Sequence, residues 1–93
     1  MPLDLYITSV TSFRETKAQQ NEMMRILDTR GVTYKTVDIS VDKCFLEEMR
    51  EKSGNPSAVP PQLFLGNKYL GGYQELMDAV EDGEADKFLE GQK

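Results

Sequence analysis

The stretch Val59-Pro60-Pro61-Gln62-Leu63-Phe64-Leu65-Gly66-Asn67-Lys68-Tyr69-Leu70-Gly71-Gly72-Tyr73-Gln74-Glu75-Leu76 decides the fold. Two adjacent prolines interrupt regular structure, because neither has a backbone N–H to donate. The run Gln62–Leu65 after them reads as a strand. Gly66-Asn67 is a two-residue hairpin signal, so Lys68-Tyr69-Leu70 returns antiparallel. Gly71-Gly72 reads as a tight turn. A helix follows from Tyr73 to about Asp82, with Leu76, Met77 and Val80 inward.

Upstream, Leu3, Leu5 and Ile7 alternate with Asp4, Tyr6 and Thr8, the period of a half-buried strand. Ser12-Phe13-Arg14-Glu15 has the spacing of a capping box and predicts a helix over 13–29, ended by Gly31. Tyr34–Ile39 reads as a second strand. Asp42 opens a helix to about Lys52 with Phe45, Leu46 and Met49 on one face, and Gly54 closes it. Ala85, Phe88 and Leu89 suggest a short last helix. The order is β-α-β-α-β-β-α plus that helix. A crossover through the first helix makes one parallel pair and the hairpin one antiparallel pair. The expected fold class is therefore α/β: a four-stranded mixed sheet with helices on both faces, forming one domain over residues 1–93.

Composition narrows the chemistry. The 93 residues hold 11 basic and 16 acidic side chains, a net charge of −5. Residues 1–73 are balanced, nine against nine, so the whole excess lies in the last segment, whose acids run from Glu75 to Glu90. A phosphate backbone is held by clustered Lys and Arg, so no nucleic-acid partner is expected, nor an anionic membrane surface. There is no His and one Cys, Cys44. Imidazole catalysis, a Ser-His-Asp triad, Cys-x-x-Cys chemistry and a cysteine zinc site are excluded, and no metal or cofactor is expected. Asp4 interrupts any apolar leader, and the N-terminus reads as carrying no signal peptide. The expected setting is cytoplasmic, with the nucleus also open, and the expected state is a monomer. Cys44 is expected as a small, partly buried residue of the second helix, where a helix N-terminus would lower a thiol pKa somewhat.

Three segments resemble glutaredoxins in order and spacing: Gly31-Val32-Thr33-Tyr34, Val59-Pro60-Pro61-Gln62-Leu63-Phe64 and Leu70-Gly71-Gly72-Tyr73-Gln74-Glu75-Leu76. Others narrow the branch: Tyr6-Ile7-Thr8-Ser9-Val10-Thr11 with Arg14, Glu15 and Lys17, then Val37-Asp38-Ile39-Ser40, Gly54-Asn55-Pro56 and Pro60-Pro61-Gln62. On these the chain is similar to the SH3-domain-binding glutamic-acid-rich-like proteins, glutaredoxin-like and without the catalytic cysteines. The resemblance implies a thioredoxin fold in its compact glutaredoxin form and a cis peptide between Pro60 and Pro61. The family's long acidic tail is not expected here, since the sequence read stops at Lys93.

Aligned on Tyr6, the glutaredoxin Cys-x-x-Cys falls near Thr11-Ser12-Phe13-Arg14, where no sulfur stands. No catalytic residue is assigned, and the chain is not expected to be an enzyme. The resemblance implies that the residue before the cis-proline offers its backbone to glutathione; here it is Pro60, which has no N–H. The lysine that glutaredoxins place late in the first strand corresponds to Thr8. Gly71-Gly72 remains, and the N–H groups opening the next helix could take a carboxylate. Glutathione binding is therefore expected to be weak at most. An SH3 domain is a doubtful partner, because the prolines stand at 2, 56, 60 and 61 and no PxxP exists. The expectation is a non-catalytic adaptor or regulatory module with a protein partner; the alternative is a weak glutathione binder or modulator of glutaredoxin-type redox activity. Its candidate contact residues are Thr11, Ser12, Phe13, Pro60, Pro61, Gly71, Gly72 and Tyr73, with Phe13 either exposed as an anchor or turned into the core.

Overall fold

The computed structural model describes residues 3–11 and 13–91. Its elements are β1 (Leu3–Ile7), α1 (Arg14–Thr29), β2 (Tyr34–Asp38), α2 (Lys43–Ser53), β3 (Gln62–Leu65), β4 (Lys68–Gly72), α3 (Tyr73–Glu81) and α4 (Ala85–Leu89). The strands lie in the order β2-β1-β3-β4, with β1 parallel to β2 and antiparallel to β3, and β3 antiparallel to β4. The mixed sheet expected from the sequence is therefore present.

Period two on the central strand divides the core. Leu3 and Leu5 face one side and meet Met23, Ile26 and Leu27 of α1, Leu76 and Ala79 of α3, and Phe88 and Leu89 of α4. Tyr6 faces the other side and meets Phe64, Ala58 and Met49 of α2. The Tyr6 and Phe64 rings pack edge to face, 5.1 Å between centroids. Lys52 lays its ammonium over both rings, 4.8 Å from Phe64 and 5.3 Å from Tyr6. The Tyr6 hydroxyl donates to Glu48. Burial first, and then that hydrogen bond, push the phenol above its ordinary pKa, so it stays a donor.

Two local readings need correction. The strand β4 does not end at Leu70, because the ladder runs through the double glycine: Gln62 pairs with Gly72 and Leu63 with Gly71. The register then slips by one residue, Phe64 pairing with Tyr69, so Leu70 is the extra residue of a bulge. The residue in the N-cap position of α1 is Phe13, without a side-chain cap, while Ser12 of the expected capping box lies outside the described residues. The cap of α2 is as expected: the Asp42 carboxylate accepts from the Cys44 N–H at 2.9 Å, and Gly54 ends the helix at φ 69°. The Pro60–Pro61 peptide is cis. Among the described residues no helix is long and apolar enough to cross a membrane.

Candidate functional site

Register brings the candidate residues to one end of the sheet. Tyr6 of β1 lies opposite Gln62 of β3, and Gln62 lies opposite Gly72 of β4. The chain leaving β1, the chain entering β3 and the chain leaving β4 therefore meet at a single edge. Thr11 and Phe13 come from the first, Pro60 and Pro61 from the second, and Gly71, Gly72 and Tyr73 from the third. Ser12 lies outside the described residues.

The loop after β1 is tied down from both sides. Gln20 on α1 is 5% exposed and grips Thr8 twice: the Thr8 N–H donates to its Oε1 at 2.8 Å, and its Nε2 donates to the Thr8 carbonyl at 3.1 Å. One amide side chain thus replaces a missing strand neighbour. On the other side the Asp38 carboxylate accepts from the Ser9 N–H (3.1 Å), the Ser40 N–H (3.0 Å) and the Ser40 hydroxyl (2.6 Å). The Ser9 and Ser40 hydroxyls lie 3.0 Å apart. Neither clamp was legible beforehand, because a buried Gln in a polar half-helix looks like surface.

Asp38 carries a pH signature. Burial pushes its carboxyl up, but the donors from Ser40 and Ser9 together outweigh this and hold it down at about 2, from an ordinary 3.8. A depressed carboxyl contributes its stability above the unfolded pKa and loses it as pH falls through the folded one. Its stabilisation is therefore full above about pH 4 and is lost as pH falls toward about 2, where the folded carboxyl takes its proton and the latch opens. The Ser9 and Ser40 amide resonances should shift together across that window, and Asp38→Asn should abolish the shared step. Ser9 and Ser40 resonances that stay flat down to pH 2 would refute the latch.

The tip of the loop is apolar and open. Phe13 is 72% exposed and Val10 77%, and Val59, just before Pro60, is 60% exposed. Phe13 does not turn into the core; its backbone N–H donates to the Thr11 hydroxyl at 3.1 Å at the head of α1, and its ring is exposed. Tyr73 is half-buried and packs against the core beneath α3, so it is less of an anchor than its sequence position suggested. Both prolines are buried. The Gln62 side chain braces this turn, donating to the Val59 carbonyl at 2.9 Å and accepting from the Tyr69 hydroxyl at 2.7 Å.

The double glycine is occupied from within. The Gly72 N–H, at the N-cap of α3, donates to Glu75 Oε1 at 2.6 Å. A Cβ on Gly72 would lie 3.2 Å from the Pro61 carbonyl oxygen, so β4 and the proline turn are in close contact here. An incoming carboxylate must compete with Glu75 for this N–H, which adds to the missing N–H of Pro60.

The one thiol is elsewhere. Cys44 stands in the first turn of α2, on the other face of the sheet, and is exposed rather than partly buried. Its pKa is raised, not lowered: a hydrogen bond to the Asp42 carboxylate and then that group's charge both favour the neutral thiol. The cap that fixes the helix thereby cancels the helix-end effect. Iodoacetamide should alkylate Cys44 several-fold more slowly than a free cysteine at pH 8. Asp42→Asn keeps a good cap and removes the charge, so it should restore the rate. Equal rates in wild type and variant would refute this.

The SH3-binding, glutamic acid-rich protein family matches residues 1–92. The chain belongs to this family. An uncharacterized protein of Arabidopsis thaliana is 33% identical over 92 residues, 94% of this chain but 22% of the plant protein. The chain thus spans about a fifth of that relative. Glutaredoxin 1 of Rickettsia felis is 38% identical over 71 residues, 72% of this chain and 66% of that protein. Among solved structures, the actin interacting protein Aip5 of C. albicans superposes with a TM-score of 0.78 at 19% identity, covering 95% of this chain and 87% of that one. A buckwheat glutaredoxin–glutathione complex gives 0.71 at 18% identity, covering 97% and 77%. This member of the SH3-binding, glutamic acid-rich family therefore has the glutaredoxin form of the thioredoxin fold.

Proposed function

We propose that this domain is a non-catalytic, glutaredoxin-like interaction module, an adaptor or regulator of the cytoplasm or nucleus. It binds a protein partner through the exposed Phe13 ring, with Thr11, Ser12 and Tyr73 beside it, while the buried Pro60, Pro61, Gly71 and Gly72 shape that edge from beneath. One observation carries the reading: the loop where a glutaredoxin would hold its thiols is fixed by Gln20 and Asp38, yet presents an exposed Phe13 ring and no sulfur. Exposed aromatics on a fixed backbone lose little entropy on binding, and interface cores are enriched in them. Pro60 and Pro61 are buried and offer no proline ridge to an SH3 domain. Dithiol exchange has no second thiol in this sequence.

Two experiments test the reading. A mixed-disulfide reduction assay coupled to glutathione reductase should stay at background; turnover that disappears on Cys44→Ser would overturn the non-catalytic part. Partners captured from cell extract should shift the Thr11, Phe13 and Tyr73 resonances of the labelled domain, and Phe13→Ser should weaken capture at least tenfold. Shifts confined to residues 74–93 would move the binding face to the C-terminal helices. Calorimetric titration with reduced glutathione should show weak binding at most, and tight binding would favour a redox-modulating role instead.

A further inference from the structure

The sheet has a second feature, away from the proline turn. Strand β2 is an edge, and its ladder to β1 uses alternate residues: the Leu3 N–H donates to the Thr33 carbonyl, and the Ile39 N–H to the Ile7 carbonyl. In a parallel pair this alternation turns the backbone groups of Tyr34 and Thr36 outward. At Asp38 the edge closes, because its carbonyl accepts from the Val41 N–H at 3.2 Å. Edges left open are templates for another strand.

Both faces beside this open edge are hollow. On the α2 side a hollow of about 550 Å³ is lined by Val41 and Phe45 with Asp4, Asp38, Glu48 and Lys35; Lys52 pairs with Glu48 at 3.9 Å, which leaves Asp4 and Asp38 against Lys35. Val41 is 75% exposed. On the opposite face a second hollow is lined by Val32, Tyr34 and Asp28. Side chains of an added strand alternate between two such faces. A lysine on the α2 side would lay its stem along Val41 and Phe45 and bring its ammonium to the carboxylates. A small apolar residue suits Val32 and Tyr34.

We propose that β2 is a docking edge for an extended basic segment of a partner protein, one that alternates Lys or Arg with aliphatic residues and adds as a fifth strand beside Tyr34–Thr36. Charge selects this occupant over a second copy of the chain, which, added along the same edge, would set its own Asp4 and Asp38 against these carboxylates. Asp38 borders both surfaces, but the open Tyr34–Thr36 edge lies apart from the proline turn, and the proposal does not depend on that face.

The test uses the 93-residue chain, labelled with ¹⁵N, and an acetylated, amidated octapeptide of alternating lysine and valine. Saturable shifts are expected at Tyr34, Thr36 and Val41, with at least tenfold slower exchange of the Thr36 amide. The Thr36 N–H points away from β1, so Thr36→Pro removes an outward donor and spares the ladder; it should weaken binding at least tenfold. Thr36→Val keeps the backbone donor and should bind as wild type, and Asp4→Asn should weaken binding several-fold, so the proposal stays testable if the proline variant unfolds. Non-saturable shifts, shifts concentrated in residues 74–93, or equal binding of a glutamate–valine octapeptide would overturn it. Thr36 protection that appears without peptide and grows with protein concentration would assign the edge to a second copy instead.

Discussion

Replacing Gly71 by Ala should lower the melting temperature by about 10 °C or more. Gly71 sits at φ +148°, where an L side chain is strained. Strain of that kind costs about 1–3 kcal/mol. The new Cβ would also lie 2.7 Å from Glu75 Cβ and 3.0 Å from its Cγ, with Phe88 Cζ at 3.2 Å. Glu75 Cβ belongs to the first turn of α3 and has nowhere to go, so relief needs the helix itself to shift. Overpacking of this sort adds about 1–3 kcal/mol. The sum, about 2–6 kcal/mol, is a large share of what a domain of this size holds, and each kcal/mol moves the melting point by about 4–8 °C. Gly31→Ala is the control: it too has positive φ (+68°), but nothing lies within 4 Å of its Cβ. Thermal and urea unfolding of both variants decides. A Gly71→Ala midpoint no lower than that of Gly31→Ala would show that the Glu75 contact relaxes freely.

That glycine marks how far the sequence could be read. The hairpin, the double glycine and the helix after it were legible as a string of local signals, because each depends on neighbours in the chain. What could not be read was the bulge at Leu70, which carries β4 through Gly71 and Gly72 instead of ending it. A bulge is a property of two strands, and the partner here is Phe64, several residues away across the turn. The Glu75 contact to the Gly72 N–H escaped for a similar reason: glycine has no side chain to complete a capping box, so the pattern search passes over it.

The candidate site divides along the same line. Thr11, Phe13, Pro60 and Gly72 could be grouped from the resemblance alone, and the strand registers do bring their segments to one edge. The direction of the Phe13 ring could not be known, because an aromatic at a helix start can serve as core or as surface. The thiol was misjudged for a physical reason. A helix N-terminus lowers a thiol pKa only if no carboxylate shares the turn, and Asp42, chosen as the cap, is such a carboxylate.

Gln20→Leu should be the second most damaging of these changes, and it should damage the proposed binding face more than the rest of the fold. Leucine has nearly the volume of glutamine and suits a buried helix position, so packing changes little. What disappears are the two hydrogen bonds to the Thr8 N–H and carbonyl, at 2.8 and 3.1 Å. Thr8 follows the last residue of β1 and is partly buried, so water can replace the lost partners only if the loop lifts off α1. Each buried backbone group left unpaired costs about 1–3 kcal/mol, and a loss of about 2–4 kcal/mol is expected for the pair. The loop can escape part of that cost by moving, and the Asp38 latch on its far side then carries the restraint alone. Hydrogen exchange separates the two responses: the Thr8 and Ser9 amides should lose protection by a hundredfold or more, while Leu5 and Leu63 fall only by the change in global stability. Partner capture through Phe13 should weaken even at temperatures where the variant is fully folded, because a mobile loop must be ordered again on binding. Uniform loss of protection across the sheet, with capture unchanged in the folded variant, would mean that Gln20 supports the core and leaves the loop untouched.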